Sequence, residues 1–118
     1  NAFSELVDLI IHYKYYKDLL HMSAENILIF LNKTDAFRRN ERFRKLLKIF
    51  EIIEKNNSQS KKEQGEKSLL IKQIIESCDA IPIRKVVGEE TDGEKIKQII
   101  HQKKIDIINS QIAKKIPR

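Results

Sequence analysis

Apolar side chains recur along most of this chain at the three-to-four spacing that gathers them on one side of a helix. In the first segment Leu6, Ile10, Tyr13 and Leu20, flanked by Val7 and Tyr16, form such a set behind Ser4, a residue able to cap. The spacing predicts a helix that ends near His21 and buries that set. Ser23 caps a second predicted helix running to Lys33, whose Ile27, Leu28, Phe30 and Leu31 leave little polar surface, so it is expected at the centre of the core. After ThrAspAlaPhe at 34–37, a short turn with capping residues, a third helix is predicted from Asn40 to Lys55. It turns Phe43, Leu46, Leu47, Phe50 and Ile53 inward and charge outward.

Residues 56–66 carry no large apolar side chain and mix turn formers with charge, so a mobile loop inside one domain is expected there. A fourth helix follows over about 67–79, burying Leu70, Ile71, Ile74, Ile75 and Cys78. Pro82 suits the first turn of a short helix through Val87. Asp92-Gly93 opens a last helix to about Lys114, with Ile96, Ile99, Ile100, Ile107 and Ile112 on its stripe. No repeat or heptad run interrupts this order.

Composition narrows the picture without changing it. Three Gly and two Pro in 118 residues suit helices, and 41% hydrophobic residues suffice for one small core. The fold class is therefore all-α: a compact single-domain bundle of about five to six helices. The longest apolar runs, such as 27–31, fall far short of the roughly 20 residues that cross a bilayer, so no membrane role is expected. Cys78 is alone and outside any CxxC pattern, which suits a reducing compartment, the cytoplasm, and His12, His21 and His101 share no metal-ligand spacing. Asn1-Ala2 ahead of an immediate helical pattern reads as a cloning remnant before a helical domain over 3–116.

Charge adds a candidate chemistry. The net charge of +6 favours a polyanion or an acidic protein surface. Over 38–48, Arg38, Arg39, Arg42, Arg44, Lys45 and Lys48 face Glu41 alone, a density able to neutralise several phosphates. The competing reading is a solvated face with some Arg tied to Asp35, Glu41 or a helix C-terminus. Gly93 at a helix start could offer backbone N–H groups to a phosphate, yet Glu89, Glu90, Asp92 and Glu94 surround it and favour a plain cap. Tyr13, Tyr15 and Tyr16 could stack bases, but two lie beside the apolar stripe, where packing is the better reading.

The segment LeuAsnLysThrAspAlaPheArgArgAsnGluArgPhe at 31–43 closely resembles the "DAFRRPERF" stretch in the C-terminal body of bacterial CCA-adding tRNA nucleotidyltransferases. A second stretch, 86–108, is similar to that family's "VVEAGFKGxEIxxxLxxRRI", with Gly93, Ile96, Lys103, Lys104 and Ile105 at matching places. The resemblance implies a helical, noncatalytic C-terminal domain that grips the acceptor–T-arm stack of tRNA through its backbone. Arg38, Arg39, Arg42, Arg44, Lys45, Lys48, Gly93, Lys103 and Lys104 are then the RNA-binding candidates. It implies a parent enzyme whose head, absent from this chain, adds CCA with Mg2+, CTP and ATP. This sequence has neither Asp-x-Asp nor a Gly-rich loop, so no residue is assigned as catalytic or metal-binding, and the fragment itself has no cofactor.

The departures matter too. Tyr13 and Lys14 stand where relatives with a phosphohydrolase module carry His-Asp, with His12 one position off, and neither can replace those ligands. The family's acidic-Arg-Gly stretch is PheGluIleIleGluLysAsnAsn at 50–57, which keeps Glu51 and loses its arginines, and Asn40 replaces the family's Pro at a helix start. The reading from another class is a helical protein-interaction or dimerisation module without RNA binding, and the oligomeric state stays open.

Overall fold

The computed structural model describes residues 2–56 and 61–115, and among them there are six α-helices and no strand. Helix α1 spans Ala2–Lys17 and a 3-10 turn, Leu19–His21, leads to α2, Ala24–Lys33. Helices α3, Asn40–Asn56, α4, Lys61–Asp79, α5, Ile83–Val87, and α6, Gly93–Lys115, complete the chain. Helix α6 packs against α2, α4 and α5, while α3 lies on α4 and α1 on α2. The single globule is the all-α bundle that the periodicity predicts.

Local chemistry sets the helix ends. The Ser23 hydroxyl accepts the Asn26 N–H at 3.2 Å and so caps α2. At its other end the Ala36 N–H reaches back to the Leu31 carbonyl and the Asp35 N–H to that of Asn32, the paired bonds of a Schellman turn. That turn places Asp35 at φ 54, a left-handed conformation more often taken by Gly or Asn. The Thr34 hydroxyl donates to the Phe30 carbonyl at 2.8 Å. Gly88, at φ 65, closes α5, and the Asp92 carboxylate accepts the Glu94 N–H at 3.0 Å to cap α6.

The core draws Ile27, Leu28, Phe30 and Leu31 from α2, Phe43 and Phe50 from α3, and Leu70, Ile71, Ile74, Ile75 and Cys78 from α4. Ile105, Ile108 and Ile112 from α6 close it. Inside, the Lys67 ammonium pairs with Glu54 Oε1 and lies 5.0 Å from the centre of the Tyr16 ring, which stacks on Phe50. This pair joins α3 to α4 with side chains 0% and 2% exposed. Tyr13 also meets Phe50, so Tyr13 and Tyr16 are packing residues and Tyr15 is half-buried.

Three expectations need correction, one of them on α6, where Ile105 and Ile108 are buried beside Ile112 while Ile96, Ile99, Ile100 and Ile107 of the expected stripe are only half-buried. On α1 the expected buried stripe is wrong at Leu6 and Ile10, which are 53% and 51% exposed, as are Phe3, Val7 and Ile11 in good part. Residues 6–11 are apolar on several sides, and the face that turns inward is Leu9, His12, Tyr13 and Tyr16. The helix also starts at Ala2, ahead of Ser4, and ends before a 3-10 turn. The expected loop at 56–66 is helical at Asn56 and again from Lys61, while 57–60 lie outside the described residues. The first turns of α4 are Lys, Glu, Gln and Gly, good helix formers for the most part but with no apolar signal to reveal them.

Candidate nucleic-acid interface

Helix α3 is amphipathic because Phe43, Phe50 and Glu54 face the core, with Leu46, Leu47 and Ile53 half-buried beside them. The remaining side exposes Arg42, Arg44, Lys45 and Lys48, together with Lys55, Ile49 and Ile52. Arg38 and Arg39 stand exposed in the turn ahead of it, where the Arg39 N–H donates to the Asp35 carbonyl at 2.8 Å. Among the described residues no carboxylate pairs with Arg38, Arg39, Arg42, Arg44, Lys45 or Lys48; the ion pairs found are Lys67–Glu54 and Lys97–Glu94. No arginine here is tied to Asp35 or Glu41, and the exposed side chains suit a solvated face as well as a phosphate-binding one. Their charged ends stand in solvent.

The helix forms a ridge between two grooves. On one flank Arg42 and Lys45 join Lys33 of α2 along a groove floored by Leu9, Leu46 and Ile49, where Glu5, Asp8 and Asp35 set three carboxylates against the three cations. On the other, Arg44 and Lys48 join Lys72 of α4 along a groove of about 480 Å³ over Phe43, Leu47, Ile71 and Ile75, with Glu51, Glu76 and Asp79 also on its walls. Lys33 and Lys72 escape the sequence reading since each belongs to another helix and only packing brings it beside α3. His12 lines the first groove, where burial lowers its pKa and Asp8 partly opposes the shift.

The remaining candidates divide. Phe37 of the 34–39 turn lies under α6, with the Lys104 ammonium 4.0 Å from its ring centre, so the segments 31–43 and 86–108 meet in space. Lys103 is exposed beside it. Gly93 is about 16 Å away along α6 at the helical rise of about 1.5 Å per residue. Its helix end is capped by Asp92, whose own N–H is held by Glu90. Nothing lies within 4 Å of where a Cβ at Gly93 would stand, so packing does not demand glycine there. Among the described residues no three His, Cys, Asp or Glu side chains gather as metal ligands, and no helix is long and apolar enough to cross a membrane.

Comparison with known proteins bears on this surface. The CCA-adding enzymes of two Coxiella burnetii strains, RSA 331 and RSA 493, are each 26% identical to the chain over 114 residues, 96% of it and 28% of the relative. That of Alteromonas mediterranea is 28% identical over 110 residues, 93% of the chain and 27% of the relative. The chain thus spans little more than a quarter of the length of the curated relatives it matches. It corresponds to one stretch of such enzymes, which is all-helical here. No family model matches the chain, and no solved structure matches it significantly.

Proposed function

We propose that this chain is a noncatalytic, tRNA-holding region from the C-terminal part of a CCA-adding tRNA nucleotidyltransferase. The observation that carries the reading is the ridge at 38–48, six exposed cations without a carboxylate partner among the described residues. Its location within a stretch similar to CCA-adding enzymes makes tRNA the polyanion of choice. A stage that handles every tRNA needs contacts to phosphate and sugar, which fix orientation without reading bases. Scattered Arg and Lys on a rigid helix supply that grip, and Lys33, Lys72 and Lys103 widen it. Chemistry is assigned to a catalytic head elsewhere in the parent, which would take CTP and ATP with Mg2+ and extend the 3′ end held in place.

The test is tRNA binding by this chain across a salt series, with fluorescence anisotropy as readout. A log–log slope of several released counterions, lowered by about one for each of Arg39→Gln and Arg42→Gln, supports the reading. Absent or salt-independent binding overturns it.

One observation favours the reading as an interaction module: the exposed Phe3, Leu6, Val7 and Ile10 on α1, Phe3 at 75%. Light scattering with and without tRNA separates the two. A stable dimer indifferent to tRNA would establish the second reading.

A further inference from the structure

We infer that Lys104 is a positioning residue for the turn that carries Arg38 and Arg39, acting through Phe37 and not through phosphate; the inference rests on the RNA-holding reading above.

The turn is held from its own side by short-range bonds. Ala36 is fully buried, with its N–H on the Leu31 carbonyl, and the Arg39 N–H is on that of Asp35. These bonds all lie within 31–39 and say nothing of how the turn sits on the rest of the molecule. Buried Ala36 ties the start of the turn to the core, and Phe37, next to Arg38, ties it to α6. The half-buried Phe37 ring faces the Lys104 ammonium at 4.0 Å, a distance at which a cation is drawn to the ring's negative face. The backbone of Lys104 is fixed in turn, since Ile105 and Ile108 immediately after it are buried in the core. Arg38 thus stands between a ring pinned to α6 and an amide pinned to Asp35.

The same contact argues against a direct role in holding RNA. Lys104 is half-buried and its ammonium is engaged, whereas Lys103, one residue earlier, is exposed. To reach a phosphate Lys104 would have to leave the ring and release the turn. A preorganised Arg pair loses less freedom on binding than one on a loose turn, so freeing Phe37 weakens binding without removing a phosphate contact.

The experiment compares Lys104→Met, Lys104→Arg, Phe37→Leu and the double variant Phe37→Leu/Lys104→Met, with Lys103→Met as the control for loss of a positive charge. Titration with tRNA over a salt series is expected to show Lys104→Met and Phe37→Leu each weaker by about three- to tenfold, the scale of one lost cation–π contact. Their salt slopes stay at the parental value, the double variant is no weaker than the weaker single, and Lys104→Arg retains binding. Amide exchange without RNA adds an independent readout, with the Arg39 amide exchanging faster in both single variants.

A slope reduced by about one in Lys104→Met, matching Lys103→Met, with Phe37→Leu binding normally, makes Lys104 a phosphate contact and overturns the inference. Unchanged Arg39 exchange in both variants overturns it as well. If the parental chain does not bind tRNA, the RNA-holding reading fails, and the exchange data still decide whether Lys104 fixes the turn.

Discussion

Removing one partner of the Glu54–Lys67 pair leaves a charge in a site without water access, since these side chains are 0% and 2% exposed. Glu54→Leu or Lys67→Met alone is expected to cost about 3–5 kcal/mol in urea denaturation, whereas the double replacement by apolar residues is expected near the parental stability. Asp35 offers the opposite sign. Its φ of 54 is strained for a side-chain-bearing residue, and Asp35→Gly should stabilise by about 0.5–1 kcal/mol, with Asp35→Val destabilising. Cys78 makes a pH prediction. Burial pushes its thiol up from 9.0 to about 11, so below pH 9 the folded chain keeps the full benefit. Between pH 9 and 11 the unfolded chain releases a proton that the folded one retains, and stability falls as pH rises. Tyr16, pushed by burial from 10.0 to about 12, extends the fall. The urea midpoint should therefore drop over this window, and less steeply in Cys78→Ala.

Among the elements, α1 and α6 bury their apolar residues differently, and the contrast is measurable. Leu6→Ala, on a side chain already half in solvent, should shift stability by no more than about 0.5 kcal/mol, while Ile108→Ala in the fully buried part of α6 should cost about 2–5 kcal/mol. The two helices also show where periodicity informs and where it does not. In α3 and α4 polar residues break up the apolar ones enough that the buried positions Phe43, Phe50, Ile71 and Ile74 are readable from spacing, while in α2 the unbroken run at 27–31 marks a central helix and is buried at every position but Ile29. In α1 the run LeuValAspLeuIleIle at 6–11 supports two faces, and the neighbours decide between them: Phe50 receives Tyr13 and Tyr16. Glu54 and Lys67 were equally hidden. Each reads as a surface charge in its own helix, and only the register of α3 against α4 turns both inward.

For the molecule as a whole, the candidate site was legible as far as it is contiguous. Arg38 to Lys48 stand out because six cations lie within eleven positions, whereas Lys33, Lys72 and the Phe37–Lys104 contact need the tertiary fold to assemble. If all six cations engage phosphates at once, tRNA affinity should fall by about 10³-fold between 50 and 200 mM salt, and proportionally less on a logarithmic scale for fewer. The place of α6 has a kinetic corollary. The helix that packs on α2, α4 and α5 follows all of them in the chain, so its docking on α2 closes a long loop and must await its own synthesis. Until then the sides of α2 and α4 that α6 covers have no lid, and a chain truncated after residue 92 is expected to aggregate where the full chain stays monodisperse, which light scattering checks.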